Sequence, residues 1–116
     1  MPSVAPFDYD DLRIEYVDSV IVVIGTFDVA PADRGEFIAA RAAQVETSLG
    51  EDGCLDYALS LDAYDPGRVR LVERWTDADA LAAHVKAIHE RGGVPATVAV
   101  ISRDVTVIEG DVRSSG

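Results

Sequence analysis

The stretch "CLDYALSLDAYDPGRVRLVERWTDADALAAHVKAIHE", from Cys54 to Glu90, decides the fold because it contains two strands, a turn and a helix in succession. The first strand alternates in polarity, with one face carrying Leu55, Tyr57, Leu59 and Leu61 and the other carrying Asp56, Ala58, Ser60 and Asp62. "YDPGR" then places Pro66 and Gly67 in turn positions. The second strand also alternates, with Val69, Leu71, Glu73 and Trp75 on one face and Arg68, Arg70 and Arg74 on the other. The pattern predicts an antiparallel hairpin in which the arginines pair with aspartates of the neighbouring strand.

The helix after the hairpin has a histidine on its apolar side. Thr76 and Asp79 have the spacing of a capping box at its start, and "RGG" ends it. Apolar residues recur at helical spacing at Leu81, Val85 and Ile88. His84 falls among them. The pattern therefore turns an ionisable ring toward the buried side of the helix.

The flanking segments complete the fold. Val20–Val29 is apolar and β-branched, as a buried strand is. Pro31 then opens a helix, one face of which carries Ile38, Ala42, Val45 and Leu49. Residues 94–101, "VPATVAVI", fit either a short helix or an extended segment, and "DVTVIEG" from Asp104 reads as the last strand.

The element order β-α-β-β-α-β predicts an α+β, ferredoxin-like domain, with a four-stranded antiparallel sheet and both helices on one face. We assign it to residues 18–110. Residues 1–17 are expected to form an N-terminal extension, partly ordered at best, with a short strand around Leu12–Val17 as an option, and residues 111–116 a fraying C-terminal tail. The second face of the sheet needs a cover, and a second copy of the chain is the favoured one, which predicts a homodimer.

The composition excludes several classes of partner. The chain has 116 residues, enough for one domain, and a net charge of −11, which argues against nucleic acid and against an anionic membrane surface. Its single cysteine, Cys54, rules out an intrachain disulfide and fits a cytoplasmic location. We expect no signal peptide, because the first residues lack a basic segment followed by an apolar one.

No motif in the sequence calls for a cofactor or a metal. There is no glycine-rich phosphate loop and no dinucleotide fingerprint. His84 and His89 are five residues apart, about 140° around a helix, whereas paired helical ligands want a spacing of four. We therefore expect no metal and no tightly held organic cofactor.

Four residues are predicted to share one pocket, with Tyr57, Glu73 and Trp75 from the sheet and His84 opposite them. His84 has two interpretations: a core histidine satisfied by one buried carbonyl or carboxylate, or a general base, for which imidazole suits neutral pH. Trp75 and Tyr57 are either core packing or pocket walls, and Glu73 needs a partner or a wet site. His89 either completes the pocket or stabilises the helix end.

These residues resemble the antibiotic biosynthesis monooxygenase (ABM) domain family. The resemblance runs from about residue 18 to 110 and rests on an acidic residue with "GC" at a strand start, a tyrosine three residues after the cysteine, a "DP" turn, "E-x-W", "A-L-x-x-H" and a second histidine. In this chain the matching residues are Glu51, Gly53, Cys54, Tyr57, Asp65, Pro66, Glu73, Trp75, Ala80, Leu81, His84 and His89. The resemblance implies a ferredoxin-like unit that dimerises sheet to sheet into an α+β barrel. Haem-degrading relatives carry an asparagine before the first helix, and "IGTFDV" has none.

The resemblance implies a cofactor-independent monooxygenase that acts on a quinol-, phenol- or anthrone-like aromatic with O2. In that reading His84 is the base, Trp75 and Tyr57 are aromatic walls, and Glu73 orients the substrate or the histidine. Two alternatives remain: a proton-transfer isomerase that uses the same histidine, and a non-catalytic dimer that binds a small ligand.

Overall fold

The computed structural model describes the backbone of residues 14–115 and the side chains of residues 19–111. Residues 1–13, which make up most of the expected N-terminal extension, lie outside the described residues, as does Gly116. The elements run in the order β1 (Ile14–Val29), a 3-10 turn (Pro31–Asp33), α1 (Arg34–Ala40), α2 (Ala42–Leu49), β2 (Cys54–Leu61), β3 (Arg68–Trp75), α3 (Ala78–Glu90) and β4 (Val100–Ser115).

The strands form one antiparallel sheet in the order β2-β3-β1-β4. The turn between β2 and β3 is built by Asp62, whose Oδ1 accepts the amides of Tyr64 and Asp65, both at 2.8 Å. Gly67 lies so close to the carbonyl of Val29 that a side chain would overlap it, and the Val29 amide donates to the Gly67 carbonyl at 2.8 Å. This topology confirms the predicted ferredoxin-like fold.

The alternation of β3 decides which face of the sheet is buried. Val69, Leu71, Glu73 and Trp75 are all buried, as their pattern predicts. Two clusters form the core, one of Ile21, Val23, Tyr57, Leu71 and Trp75, the other of Val29, Phe37 and Val69. On the opposite face Arg70 pairs with Asp62 at 3.0 Å and Arg74 with Asp56 at 3.9 Å, as the hairpin pattern predicts.

The first helix differs from its prediction in continuity and in its buried face. It is divided at Arg41, whose amide reaches back to the carbonyl of Ile38 in a tighter, 3-10-like bond. Phe37 and Ser48 are the buried residues, whereas Leu49 is 52% exposed. Ser48 tolerates burial because its hydroxyl donates to the carbonyl of Gln44 at 2.6 Å. The apolar pattern placed the buried face one residue too late, because Phe37 packs against Val29 and Val69.

The cap of α3 also differs from the prediction. Asp77 is the N-cap, and its Oδ1 accepts the Ala80 amide at 2.8 Å. Thr76 instead donates its amide to the carbonyl of Gly53 at 2.8 Å. The predicted box of Thr76 and Asp79 was therefore wrong, because the threonine backbone is engaged by the loop before β2.

The outer strands are longer than expected. β1 begins at Ile14, inside the segment assigned to the extension, and β4 continues to Ser115, inside the segment assigned to the tail, because these residues pair with each other. β4 begins at Val100 rather than at Asp104, and residues 94–99 form neither helix nor strand.

The face of the sheet that the helices leave open is apolar at its centre. Ile24 and Val72 are directly paired across β1 and β3, and they are 46% and 39% exposed. Ile108 on β4 lies opposite Val22 on the same face and is also exposed. This open face is the surface from which the sequence predicts a homodimer.

Candidate functional site

The site begins with His84, which α3 turns onto the sheet. Its side chain is only 3% exposed. The ring lies 4.6 Å from the Trp75 ring and 5.5 Å from the Tyr57 ring, measured between centroids. The imidazole is thus held between a helix and two aromatic side chains of the sheet, where few rotamers are open to it.

One ring nitrogen of His84 is anchored by Glu51. The distance between Nδ1 and Glu51 Oε1 is 2.7 Å, although the two residues are 33 apart in the chain. Gly53 makes this approach possible. Its φ of +80° favours glycine, and an added Cβ would meet Ala80 Cβ at 2.5 Å and Thr76 Oγ1 at 2.6 Å. The loop before β2 therefore lies directly against the start of α3.

This anchor defines the roles of the two ring nitrogens. A carboxylate can only accept a hydrogen bond, so Nδ1 carries the proton that it donates to Glu51. Nε2 is then the nitrogen that remains to exchange protons. The nearest carboxylate atom to it is Glu73 Oε1 at 3.7 Å, which is too far for a direct hydrogen bond.

Glu73 is a buried carboxyl group with one firm partner. Its Oε1 accepts a hydrogen bond from Trp75 Nε1 at 2.9 Å. Burial raises the pKa of Glu73, and the nearby charge of Glu51 adds to the rise, while the Trp75 hydrogen bond and the His84 charge oppose it. Glu73 therefore keeps its proton to a higher pH than an exposed glutamate does.

A cavity of about 360 Å³ opens beside these groups, a size that suits a small organic ligand. Tyr57, Glu73 and His84 supply its polar wall. The rest of its lining is mainly apolar and comes from both helix and sheet, namely Val23, Leu71, Leu81, Val85, Ile88, Val105 and Val107, with Arg103 at its edge. Burial raises the pKa of Tyr57, so its hydroxyl stays protonated at neutral pH.

The structure brings together three of the five residues predicted to form the site. Tyr57, Glu73 and His84 share the cavity. Trp75 is fully buried behind the histidine and supports Glu73, rather than forming a wall. His89 is not brought to this cavity: it is exposed in the last turn of α3, where a five-residue spacing takes it away from His84 and where the helix-end interpretation applies.

Sequence reasoning missed the role of Glu51. The residue was part of the family motif, but its loop position gave no reason to orient it toward a helix that begins well after it. The available signal was the glycine two residues later, which marks a sharp turn, together with a buried histidine that needed a partner.

Within residues 19–111, no group of three or more His, Cys, Asp or Glu side chains is arranged to hold a metal ion. The helices described here include none that is long and apolar enough to cross a bilayer.

The fold and the site define a class: a ferredoxin-like α+β domain with a buried histidine, flanked by two carboxyl groups, on the wall of a small cavity. The model of the antibiotic biosynthesis monooxygenase family matches residues 20–93, more than half of the chain, and the protein belongs to this family. The match ends before β4.

Relatives extend the comparison. An uncharacterised protein from Synechocystis sp. is 32% identical over 71 residues, which are 61% of this chain and 48% of that protein, so the match spans about half the length of this curated relative. The solved structure of Rv0793 from Mycobacterium tuberculosis is 29% identical, with a TM-score of 0.64, covering 77% of this chain and 92% of that one.

Two further structures share the fold. A conserved protein of unknown function from Bacteroides thetaiotaomicron, suggested to be an oxidoreductase, is 25% identical with a TM-score of 0.69, covering 81% of this chain and 100% of that one. A protein from Nitrosomonas europaea, provisionally named an antibiotic biosynthesis monooxygenase, is 23% identical with a TM-score of 0.68, covering 78% and 89%, and shows the fold alone.

Proposed function

We propose that the protein is a cofactor-independent monooxygenase that deprotonates a quinol-, phenol- or anthrone-like aromatic and lets the anion react with O2. The observation that carries the proposal is His84: a buried imidazole, anchored through Nδ1 by Glu51, on the wall of an otherwise largely apolar cavity. Family membership supports oxygen chemistry on this scaffold.

The chemistry requires no separate reductant. When the C–H of a phenol opposite its hydroxyl becomes a carbonyl, the substrate loses that hydrogen and the hydroxyl hydrogen. One atom of O2 becomes the new carbonyl oxygen and the other leaves as water, so all the electrons that reduce O2 come from the substrate. The protein has to remove the first proton and keep the anion away from bulk water while it reacts.

Each residue of the site has a role in this proposal. His84 takes the hydroxyl proton at Nε2, and Glu51 stabilises the imidazolium that results. Glu73, whose pKa is raised by burial, can return a proton to the departing water. Tyr57 and the apolar wall provide the surface against which the aromatic anion packs.

The proposal includes a homodimer formed through the open face of the sheet. The exposed pair Ile24 and Val72, with Ile108 beside it, provides an apolar centre for such an interface. A cytoplasmic location also belongs to the proposal, on the weaker ground of the single cysteine.

The test is oxygen consumption by the purified protein with a panel of hydroquinones and anthrones. Elemental analysis and an absorbance spectrum establish whether the preparation is metal-free and colourless. Uptake of O2 with one oxygen atom of labelled O2 in the product and no release of hydrogen peroxide supports the proposal. Quinone formation with release of hydrogen peroxide, or uptake that depends on a bound metal, flavin or haem, overturns the cofactor-independent monooxygenase.

A proton-transfer isomerase is the second candidate, favoured by the placement of two proton-exchanging groups, His84 Nε2 and Glu73 Oε1, only 3.7 Å apart. It predicts exchange of substrate hydrogen with solvent deuterium in the absence of O2 consumption. If the protein binds aromatics but shows neither reaction, it is a ligand-binding dimer.

A further inference from the structure

A second cavity, of about 420 Å³, adjoins the first. The two share Tyr57, Leu71 and Arg103 in their walls, and we refer to the two adjoining cavities together as the chamber. His84 and Glu73 lie in the wall of the first cavity, and Arg41 lies in the wall of the second, with Arg103 lining both. The acid–base residues thus lie in the first cavity, and the second cavity is lined by two arginines.

Arg41 is held in the second cavity by aromatic and backbone contacts. Its guanidinium carbon lies 3.6 Å from the centroid of the Phe37 ring and 6.0 Å from that of Phe27. Its Nη1 donates to the Phe37 carbonyl at 3.3 Å. Its partial burial lowers the pKa of Arg41. No carboxylate among residues 19–111 lies within 4.0 Å of it, so most of its donors remain for a ligand.

The distribution of the other basic side chains makes this pair unusual. In the described part of the chain, Arg68, Arg70, Arg74 and Lys86 each pair with a carboxylate. Arg34 is bound by two backbone carbonyls and Arg91 by the amide oxygen of Gln44. Among the described basic residues, Arg34, Arg41, Arg91 and Arg103 therefore have no carboxylate partner. Of these four, Arg41 and Arg103 line the second cavity. In a protein of net charge −11, two cations without carboxylate partners at one cavity indicate an anion site.

We propose that Arg41 and Arg103 bind a carboxylate or similar anionic substituent of the aromatic substrate. This rests on the proposed function in that the substrate's reacting hydroxyl is taken to lie at His84. The Glu51 carboxylate beside His84 disfavours an anion at the first cavity, and the two arginines attract it to the second. The two charged regions therefore orient the substrate, with its acidic group away from the base.

The test measures binding without turnover. 6-Hydroxy-2-naphthoate and its methyl ester have the same ring and hydroxyl, carry the acid or ester at the opposite end of the ring from the hydroxyl, and differ in one negative charge. Their dissociation constants are measured by fluorescence titration at low salt, with wild type, Arg103→Gln and Arg41→Gln. Lys86→Gln, on the exposed side of α3, is the control that removes one positive charge elsewhere.

We expect the acid to bind at least about tenfold more tightly than the ester, as a charge-assisted contact predicts. Each arginine variant should lose about tenfold or more in affinity for the acid and leave the ester unchanged, whereas Lys86→Gln should change neither. Arg103 is exposed, so its variant keeps the test valid if Arg41→Gln unfolds. Equal affinities for acid and ester, no effect of Arg103→Gln, or no binding of either ligand would overturn the proposal.

The same titration separates this inference from the proposed reaction. Arginine-dependent binding of the acid, together with no O2 uptake from any quinol, would leave the anion site standing and reject the monooxygenase. O2 uptake from neutral quinols, without tighter binding of the acid than of the ester, would support the monooxygenase and reject the anion site.

Discussion

Replacement of His84 by two different residues separates its possible tasks, because the structure gives the ring both a structural bond and an open nitrogen. His84→Ala removes the ring, its contact with Glu51 and its packing on Trp75. His84→Asn places an amide nitrogen near the position of Nδ1, so it can still donate to Glu51, but it offers no basic nitrogen. The asparagine variant therefore tests proton transfer with the anchor retained.

The magnitudes follow from the contacts. Loss of the Glu51 bond leaves a carboxylate without its partner and costs about 1.5–3 kcal/mol, and each lost ring contact costs about 0.5–1.5 kcal/mol. With the two ring contacts to Tyr57 and Trp75, His84→Ala should thus destabilise the fold by roughly 2.5–6 kcal/mol. His84→Asn should lose only the ring contacts, roughly 1–3 kcal/mol. If His84 is the base, both should reduce turnover by about 10²–10⁴-fold.

The assay combines urea unfolding with O2 consumption at a temperature where both variants are folded. A folded asparagine variant with little turnover supports the general base. If His84→Asn keeps wild-type turnover, then the histidine only holds α3 onto the sheet and the mechanism proposed above is refuted. His84→Ala alone cannot decide between these outcomes, because its loss of stability is expected in either case.

Three other predictions concern a carboxyl group, a glycine and the open face of the sheet. Because burial raises the pKa of Glu73, the free energy of unfolding should fall as pH rises from the unfolded pKa near 4.5 through the raised folded pKa. Glu73→Gln removes this titration, so its free energy of unfolding should depend less on pH above about pH 4.5. Urea unfolding at a series of pH values measures both. Gly53→Ala should destabilise the fold by about 2–4 kcal/mol, from positive-φ strain and overlap of the added Cβ. It should also lower turnover, because it displaces the loop that anchors His84. The control is Gly92→Ala, which should cost only the strain, because Gly92 is also at positive φ but has no atom within 4 Å of the added Cβ. Ile24→Glu should convert the dimer expected at micromolar protein concentration into a monomer in sedimentation experiments. It places a charge at the centre of an interface expected to bury more than about 1,000 Å². Leu49→Glu, at an exposed position of α2, should leave the dimer intact.

Each of these has a contrary result. Parallel stability curves for wild type and Glu73→Gln would mean that the glutamate titrates normally in the fold. Equal losses for the two glycine variants would mean that the overlap at Gly53 is relieved without cost. A wild-type protein that is already monomeric at micromolar concentration would reject the sheet-to-sheet dimer.

The parts of the structure that follow from local periodicity were predictable. The alternation of β3 identified both of its faces, and the element order identified the fold, because neighbouring residues alone set those patterns. The buried face of the first helix was misplaced because a larger residue outside the apolar stripe, Phe37, packs against the sheet.

The candidate site was predictable only in part for a different reason. Tyr57, Glu73 and His84 project from regular elements, so their faces could be read from the sequence. Glu51 lies in a loop, and its contact with His84 depends on how two distant segments pack. Arg41 lies beside the chamber because it follows Phe37 by four residues, on the helix face that the apolar pattern misplaced.

The place of β4 in the chamber has a consequence for how such an enzyme can change. The acid–base residues fall within positions 51–84, a continuous stretch of the chain. The chamber wall in contrast receives four residues from β4, which follows that stretch and lies outside the matched family region: Val100, Arg103, Val105 and Val107. In the proposed enzyme, one part of the surface that recognises the substrate is thus encoded apart from the residues that remove its proton. Mutation in β4 can redirect the protein to new substrates while the proton-removing residues are inherited intact.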